Sequence, residues 1–185
     1  MPEFGDLILK LTEKKNQIDS AIEQYIKKRY SDEIYDLVKY AVIDGKRLRG
    51  IVLLLTSEAL DGDYEKAMKL AISAELGHAA SLVHDDIIDK SVERRRKPTL
   101  WKKYGIEKAV ILPHILISES LDIARKEGEK FFRVGLETWS KASYGEYLDI
   151  IAEDPSNWSK IDYRKLVALK SGSLFEGAAE IGALT

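Results

Sequence analysis

Apolar side chains recur along this chain at intervals of three and four residues almost from end to end, the spacing that gives a helix one hydrophobic face. Runs of alternating β-branched residues between turn signals, which would mark strands, are missing. The pattern predicts an all-α protein with helices over 6–28, 32–43, 47–60, 63–89, 99–104, 106–126, 128–152 and 160–182. Punctuation agrees with these bounds. Gly45 and Gly62 stand where helix C-terminal glycines belong, Asp63 can cap the helix that follows it, and Asp154-Pro155-Ser156-Asn157 reads as a loop. The helix from Asp63 to Asp89 would be about 40 Å long at 1.5 Å per residue. Ala67, Ala71, Ala74, Gly77, Ala79 and Ala80 make it a helix of small residues, which neighbours can approach closely or leave a channel beside. For any one of these alanines, tight packing is the plainer account.

The 185 residues suit one helical domain, 1–185, with a sizeable core. Lys and Arg number 29 against 31 Asp and Glu, a net charge of −2. Bulk attraction to nucleic acid or to anionic lipid is thereby excluded, and any basic site must be local. With no cysteine, disulfides and thiolate metal sites drop out. The longest pure apolar run, Ile51 to Leu55, is five residues, far short of the roughly 20 of a transmembrane segment. The opening residues lack the basic-then-apolar order of a signal peptide, so a soluble, cytoplasmic protein is expected.

The sharpest chemical feature is Asp85-Asp86-Ile87-Ile88-Asp89 at the carboxyl end of the long helix. Asp85 and Asp89 are one turn apart and share a face, where like charges repel, and the negative end of the helix dipole adds to the repulsion. A cation is the natural compensation. Hard carboxylate oxygens suit Mg²⁺, which takes one or two of them and fills its shell with water and phosphate oxygens. Taken alone, such a cluster is more often a solvated surface. Directly after it comes the basic loop Arg94-Arg95-Arg96-Lys97-Pro98-Thr99, and cations beside carboxylates suggest a diphosphate bridged between them. Lys46-Arg47-Leu48-Arg49 opens the third helix, where free backbone N–H groups also favour an anion. His78 lies two turns before Asp85 on the same face. It can donate to a diphosphate or satisfy a core partner, and Lys170 has the ordinary alternative of a surface lysine.

Taken in order, Gly45-Lys46-Arg47-Leu48-Arg49, His78, Asp85-Asp86-Ile87-Ile88-Asp89, Arg94-Arg95, Lys97-Pro98-Thr99, Gly145-Glu146-Tyr147-Leu148-Asp149 and Lys170-Ser171 resemble the trans-prenyl diphosphate synthases, farnesyl and geranylgeranyl diphosphate synthases among them. The resemblance covers nearly the whole chain. It implies an isoprenoid-synthase helical bundle around a central cavity and Mg²⁺-dependent condensation of isopentenyl diphosphate with an allylic prenyl diphosphate. Asp85 and Asp89 would bind Mg²⁺ with Asp86 in support. Lys46, Arg49, His78 and Arg95 would bind isopentenyl diphosphate, and Arg94 and Lys170 the allylic diphosphate. Ala80 and Ser81, just before the first aspartate, would belong to the pocket that sets product length, and their small size leaves room past C15. The family's self-association suggests a homodimer, or a heteromer with a related synthase. The helix from Ile106 to Arg125, with Ile111, Leu112, Ile115, Leu116 and Ile117, is the expected interface.

Departures from the family pattern are equally specific. The sequence ends at Thr185 before the second Asp-rich motif. Pro113-His114 replaces a usual Gly-Asp, and a proline there should kink or break its helix. Gly50 stands for a proline, Arg96 for a glycine, and Glu146 for a glutamine, the last placing a negative charge near the metal site. A non-catalytic or weakly catalytic partner that modulates a full-length synthase is the alternative. A terpene cyclase shares the acidic cluster but has no need of Lys46, Arg49 and His78.

Overall fold

The structure is a computed structural model and describes residues 4–185. Its helices run in the order α1 (Phe4–Arg29), α2 (Asp32–Val42), α3 (Leu48–Ala59), α4 (Tyr64–Ile88), α5 (Leu100–Tyr104), α6 (Ile106–Glu127), α7 (Glu129–Ala152), α8 (Tyr163–Val167) and α9 (Ser173–Ala183). A 3-10 helix, Pro155–Lys160, precedes α8, and one π-helical stretch, Ala168–Gly172, joins α8 to α9. Between α4 and α5 lies a two-stranded hairpin, β1 (Glu93–Arg94) and β2 (Lys97–Pro98).

The small-residue helix is the centre of the bundle. Ala67, Leu70, Ala71, Leu76, Ala79, Ala80 and Val83 of α4 are all buried, because α3 and α6 pack along it and α1, α2, α5 and α9 touch it as well. Leu53 and Leu54 from α3, Leu112 and Leu116 from α6, and Ile18 and Ile26 from α1 fill the space around it. Each such side chain removed from water stabilises the fold by about 1.5–3 kcal/mol. Asp63 caps α4 as its position suggests, accepting from the Lys66 amide at 3.1 Å.

Several expectations are corrected. The left-handed residues after α2 and α3 are Asp44 (φ 63°) and Asp61 (φ 53°), each one place before the glycine. Pro113 does not break α6, which runs unbroken through it. Its ring is fully buried beside Leu112 and Leu116, and that packing against α4 outweighs the lost backbone hydrogen bond. Of the five α6 residues expected at an interface, Leu112 and Leu116 face the core, so the exposed apolar residues of this helix are Ile106, Val110 and Ile111. The last helix begins at Tyr163 rather than 160, capped by Asp162, which accepts from the amides of Arg164 and Lys165. No helix among the described residues is long and apolar enough to cross a membrane.

Candidate active site

The carboxyl half of α4 forms one wall of a cavity of about 300 Å³, closed on the other sides by α3, α7 and the π-helical stretch. His78, Ser81, His84, Asp85 and Ile88 line it from α4, Trp139 and Glu146 from α7, and Lys170 from the π-helical stretch. Gly145 explains how Lys170 comes here. A Cβ at position 145 would run into the backbone of Leu169 and Lys170, so only glycine lets α7 approach so closely. A π-helical turn often marks a functional position in a helix, and this one carries Lys170.

Lys170 extends its ammonium to Glu146, at 2.8 Å, and to Asp149, at 2.5 Å. Burial acts to lower its pKa, but the two carboxylates outweigh burial and raise it. Asp85 has the opposite fate. Burial, followed by the nearby Glu146 charge, pushes its carboxyl up to about 7, against smaller pulls from Lys170 and Arg94. A buried carboxylate raised this far lacks a compensating cation, and hard divalent ions supply one. Among the described residues, no three acidic or histidine side chains are grouped to hold a metal alone. The donor set therefore fits an ion that keeps most of its ligands from water and phosphate rather than a closed protein cage.

The other two aspartates sit differently. Asp86 is buried and accepts from Arg94 Nε at 2.8 Å, with its pKa raised by burial. Asp89 is exposed and caps α4, its amide donating to the Asp85 carbonyl at 2.8 Å. It does not line the cavity. Arg94 likewise lines a neighbouring pocket with Asp86, Arg95 and Lys97. That pocket is shaped by the hairpin, whose turn residues Arg95 and Arg96 are both left-handed (φ 54° and 63°). Two left-handed residues between paired strands form a type I′ turn, which accounts for the usual glycine at position 96.

On the α3 side, Lys46, Arg49, His78 and Arg95 converge in a notch of about 90 Å³ that shares Arg49, His78 and Leu82 with the main cavity. Arg49 Nη1 donates to His78 Nε2 at 3.0 Å. Arginine has no acceptor, so Nε2 carries the lone pair and Nδ1 the proton. That agrees with Ser81 Oγ, 3.3 Å from Nδ1, which spends its own proton on the His78 carbonyl. Burial first, then Arg49, pushes the His78 pKa down to about 3. The Arg49 guanidinium lies 4.7 Å from the Phe175 ring centre, and its Nε is buried without a partner. Arg95 donates to the Asp44 carbonyl at 2.7 Å. Below the main cavity an apolar pocket continues between α4, α6, α7 and α9, lined by Gly77, Ile117, Trp139, Leu174 and Ile181.

Of the two residues before the aspartates, Ser81 lines the cavity, whereas Ala80 is fully buried in the core and lines none of these pockets. Consecutive helical residues point about 100° apart, and here the turn carries Ala80 into the core. Sequence reading passed over His84, Trp139, Phe175 and Glu75. His84 alone carried a signal, being adjacent to Asp85; the others are brought in by packing.

Residues 31–185 match the family described as polyprenyl synthetase. A geranylfarnesyl diphosphate synthase of Methanosarcina mazei is 38% identical over 141 residues, 76% of this chain and 48% of its own. A geranylgeranyl diphosphate synthase of the same organism is 31% identical over 185 residues, 96% and 57% of the two chains. The chain spans about half the length of the curated relatives it matches. Among solved structures, an isoprenoid synthase family member from Thermotoga neapolitana superposes with a TM-score of 0.86 at 30% identity, covering 93% of this chain and 69% of that one. A geranylgeranyl pyrophosphate synthetase from Pyrococcus horikoshii does so at 0.83 and 29%, covering 98% and 58%. The sequence match and the shared helical architecture lead to one conclusion: the chain belongs to the polyprenyl synthetase family.

Proposed function

We propose that this chain, as one prenyl-synthase domain, carries out Mg²⁺-dependent condensation of isopentenyl diphosphate with an allylic prenyl diphosphate, giving a trans product of C15–C20 or longer. The observation that carries this reading is the meeting of Lys46, Arg49, His78 and Arg95 in a notch that shares Arg49, His78 and Leu82 with the Asp85–Lys170 cavity. Two diphosphates need two cationic sites side by side, and a cyclase would need only one.

In this reading Lys46, Arg49 and Arg95 grip the diphosphate of isopentenyl diphosphate. The unpartnered Arg49 Nε is a donor left over for it, and neutral His78 holds the guanidinium in place by accepting from Nη1. Lys170 and Arg94 hold the allylic diphosphate. Asp85 and Asp89, with Asp86 steadying Arg94, would hold Mg²⁺, which when bound adds positive charge against the leaving diphosphate. The allylic C–O bond breaks with its electron pair going to the diphosphate, where Lys170 and Arg94 neutralise the new charge. The C5 alkene then attacks the allylic cation to form the C–C bond, and a proton passes from the new cation to the departed diphosphate to make the double bond. Trp139, Leu174 and Ile117 keep water from the cation and give the growing chain an apolar bed. Small Ser81 leaves the entrance open.

The same reading places the protein in the cytoplasm and has it pair with a second copy or a related synthase through the exposed Ile106, Val110 and Ile111. The alternative reading is a partner subunit that modulates a full-length synthase. The two separate in an assay of the purified chain with and without an added full-length synthase. Condensation by the chain alone supports the first reading, and altered product length only in the mixture supports the second.

A further inference from the structure

Arg47 stands in the middle of the basic cluster and lines the notch together with Glu75, yet its guanidinium is taken up by protein partners. Its side chain is only 5% exposed and points inward. Nε donates to Asp19 of α1 at 2.7 Å, Nη2 donates to the Val42 carbonyl at the end of α2 at 2.6 Å, and Nη1 lies 3.6 Å from Glu75 of α4. The guanidinium thus joins three helices beneath the loop that carries Lys46. The loop is wrapped tightly around it, since a Cβ on Gly45 would collide with the guanidinium. Arg47 itself holds a left-handed backbone (φ 57°, ψ 28°) as the residue that caps α3. A non-glycine residue keeps such a conformation where its surroundings over-determine it, and Asp19, the Val42 carbonyl and Glu75 do so here.

Glu75 closes the arrangement from the other side. Its carboxylate is 3% exposed and also accepts the Gly50 amide at 2.9 Å. That bond fixes the first turn of α3, which carries Arg49, and it needs an N–H that proline would not have. Gly50 also leaves room for Ile18 and Glu75, whose atoms would lie 3.0 and 3.3 Å from a Cβ there. Glu75 and His78 are three residues apart on α4, so one helical turn presents both the anchor of Arg47 and the acceptor of Arg49.

We propose that Arg47 and Glu75 are positioning residues of the anion notch, holding the 44–47 loop and the first turn of α3 so that Lys46 and Arg49 meet His78 and Arg95. The inference rests on the reading of that notch as a diphosphate site. A buried guanidinium already bound to protein partners acts on affinity by setting the direction of the arginine that meets the ligand.

The test is calorimetric binding of inorganic pyrophosphate without metal, at a temperature where circular dichroism shows every variant folded. Arg49→Ala reports the loss of a direct contact, and Val38→Ala, in the fully buried core of α2, reports destabilisation alone. Arg47→Met is expected to weaken binding about ten-fold or more, the loss typical of a charge-assisted bond, with Arg47→Lys intermediate and Val38→Ala within about two-fold. Arg47→Met binding as tightly as Val38→Ala, while Arg49→Ala fails to bind, overturns the positioning role and leaves the proposed function standing. Unchanged binding by Arg49→Ala in a Lys170→Ala background, where the allylic site is disabled, removes the notch as a diphosphate site, and both readings fall. If Arg47→Met does not fold, Glu75→Gln is near-isosteric and decides in the same way, with a loss of about three-fold or more expected.

Discussion

Lys170 Nζ lies 2.8 Å from the Glu146 carboxylate, inside the cavity that Asp85 also lines. The pair rests on a glutamate at the position where the pattern that this sequence resembles has glutamine. Glu146 partly neutralises the cation that should meet the allylic diphosphate, and its charge is the second cause of the raised Asp85 pKa. Glu146→Gln is therefore expected to lower KM for the allylic diphosphate several-fold and to extend activity to lower pH, because Asp85 ionises more easily. An unchanged pH profile would show that the Glu146 charge does not reach the site.

Asp85 also ties function to stability. Its folded pKa of about 7 lies above the ordinary 3.8, so the folded state holds its proton more tightly than the unfolded chain. The stabilisation this gives is complete below about pH 4, declines as pH rises, and is gone above about 7. The loss is on the order of a few kcal/mol. Asp85→Asn, which stays neutral, should melt several degrees above the native protein at pH 8 and close to it at pH 4, while losing activity. Equal melting at pH 8 would contradict the burial assigned to this carboxyl.

The helices, their order and most of their ends were legible in the sequence, because a 3.6-residue period and a cap such as Asp63 are local signals. The sequence also singled out Asp85 of the cavity and Lys46, Arg49, His78 and Arg95 of the notch, whereas Asp86 and Asp89 of the same cluster do not line the cavity. What escaped was set by distant packing. The hairpin at 93–98 has no Asn-Gly turn; two arginines take the left-handed positions instead. Arg47 reads as one more cation of a basic run, and only the approach of α1 and α4 turns it inward. Ala80 and Ser81 are equally small, and the helix phase alone decides that Ser81 meets the cavity.

The contact between α7 and the π-helical stretch predicts a sharp effect from a single methyl group. Gly145→Ala cannot keep the present approach to the Lys170 backbone. Overpacking of this kind typically costs about 1–3 kcal/mol, and here it also displaces Lys170. Activity is expected to fall about ten-fold or more, with KM for the allylic diphosphate rising and KM for isopentenyl diphosphate little changed. Equal effects on both substrates would mean that Gly145 supports the bundle as a whole rather than Lys170.

The proposed condensation joins a cation notch and an acidic cavity into one site, and one measurement bears on it directly. The purified chain is incubated with geranyl or farnesyl diphosphate, radiolabelled isopentenyl diphosphate and Mg²⁺, and the label in extended prenyl products is counted. The account predicts extended product that disappears on chelation of Mg²⁺ and falls by about 10² or more in Asp85→Ala, the scale typical of losing one transition-state stabiliser. Measurable pyrophosphate binding with no extended product from the chain alone would contradict it.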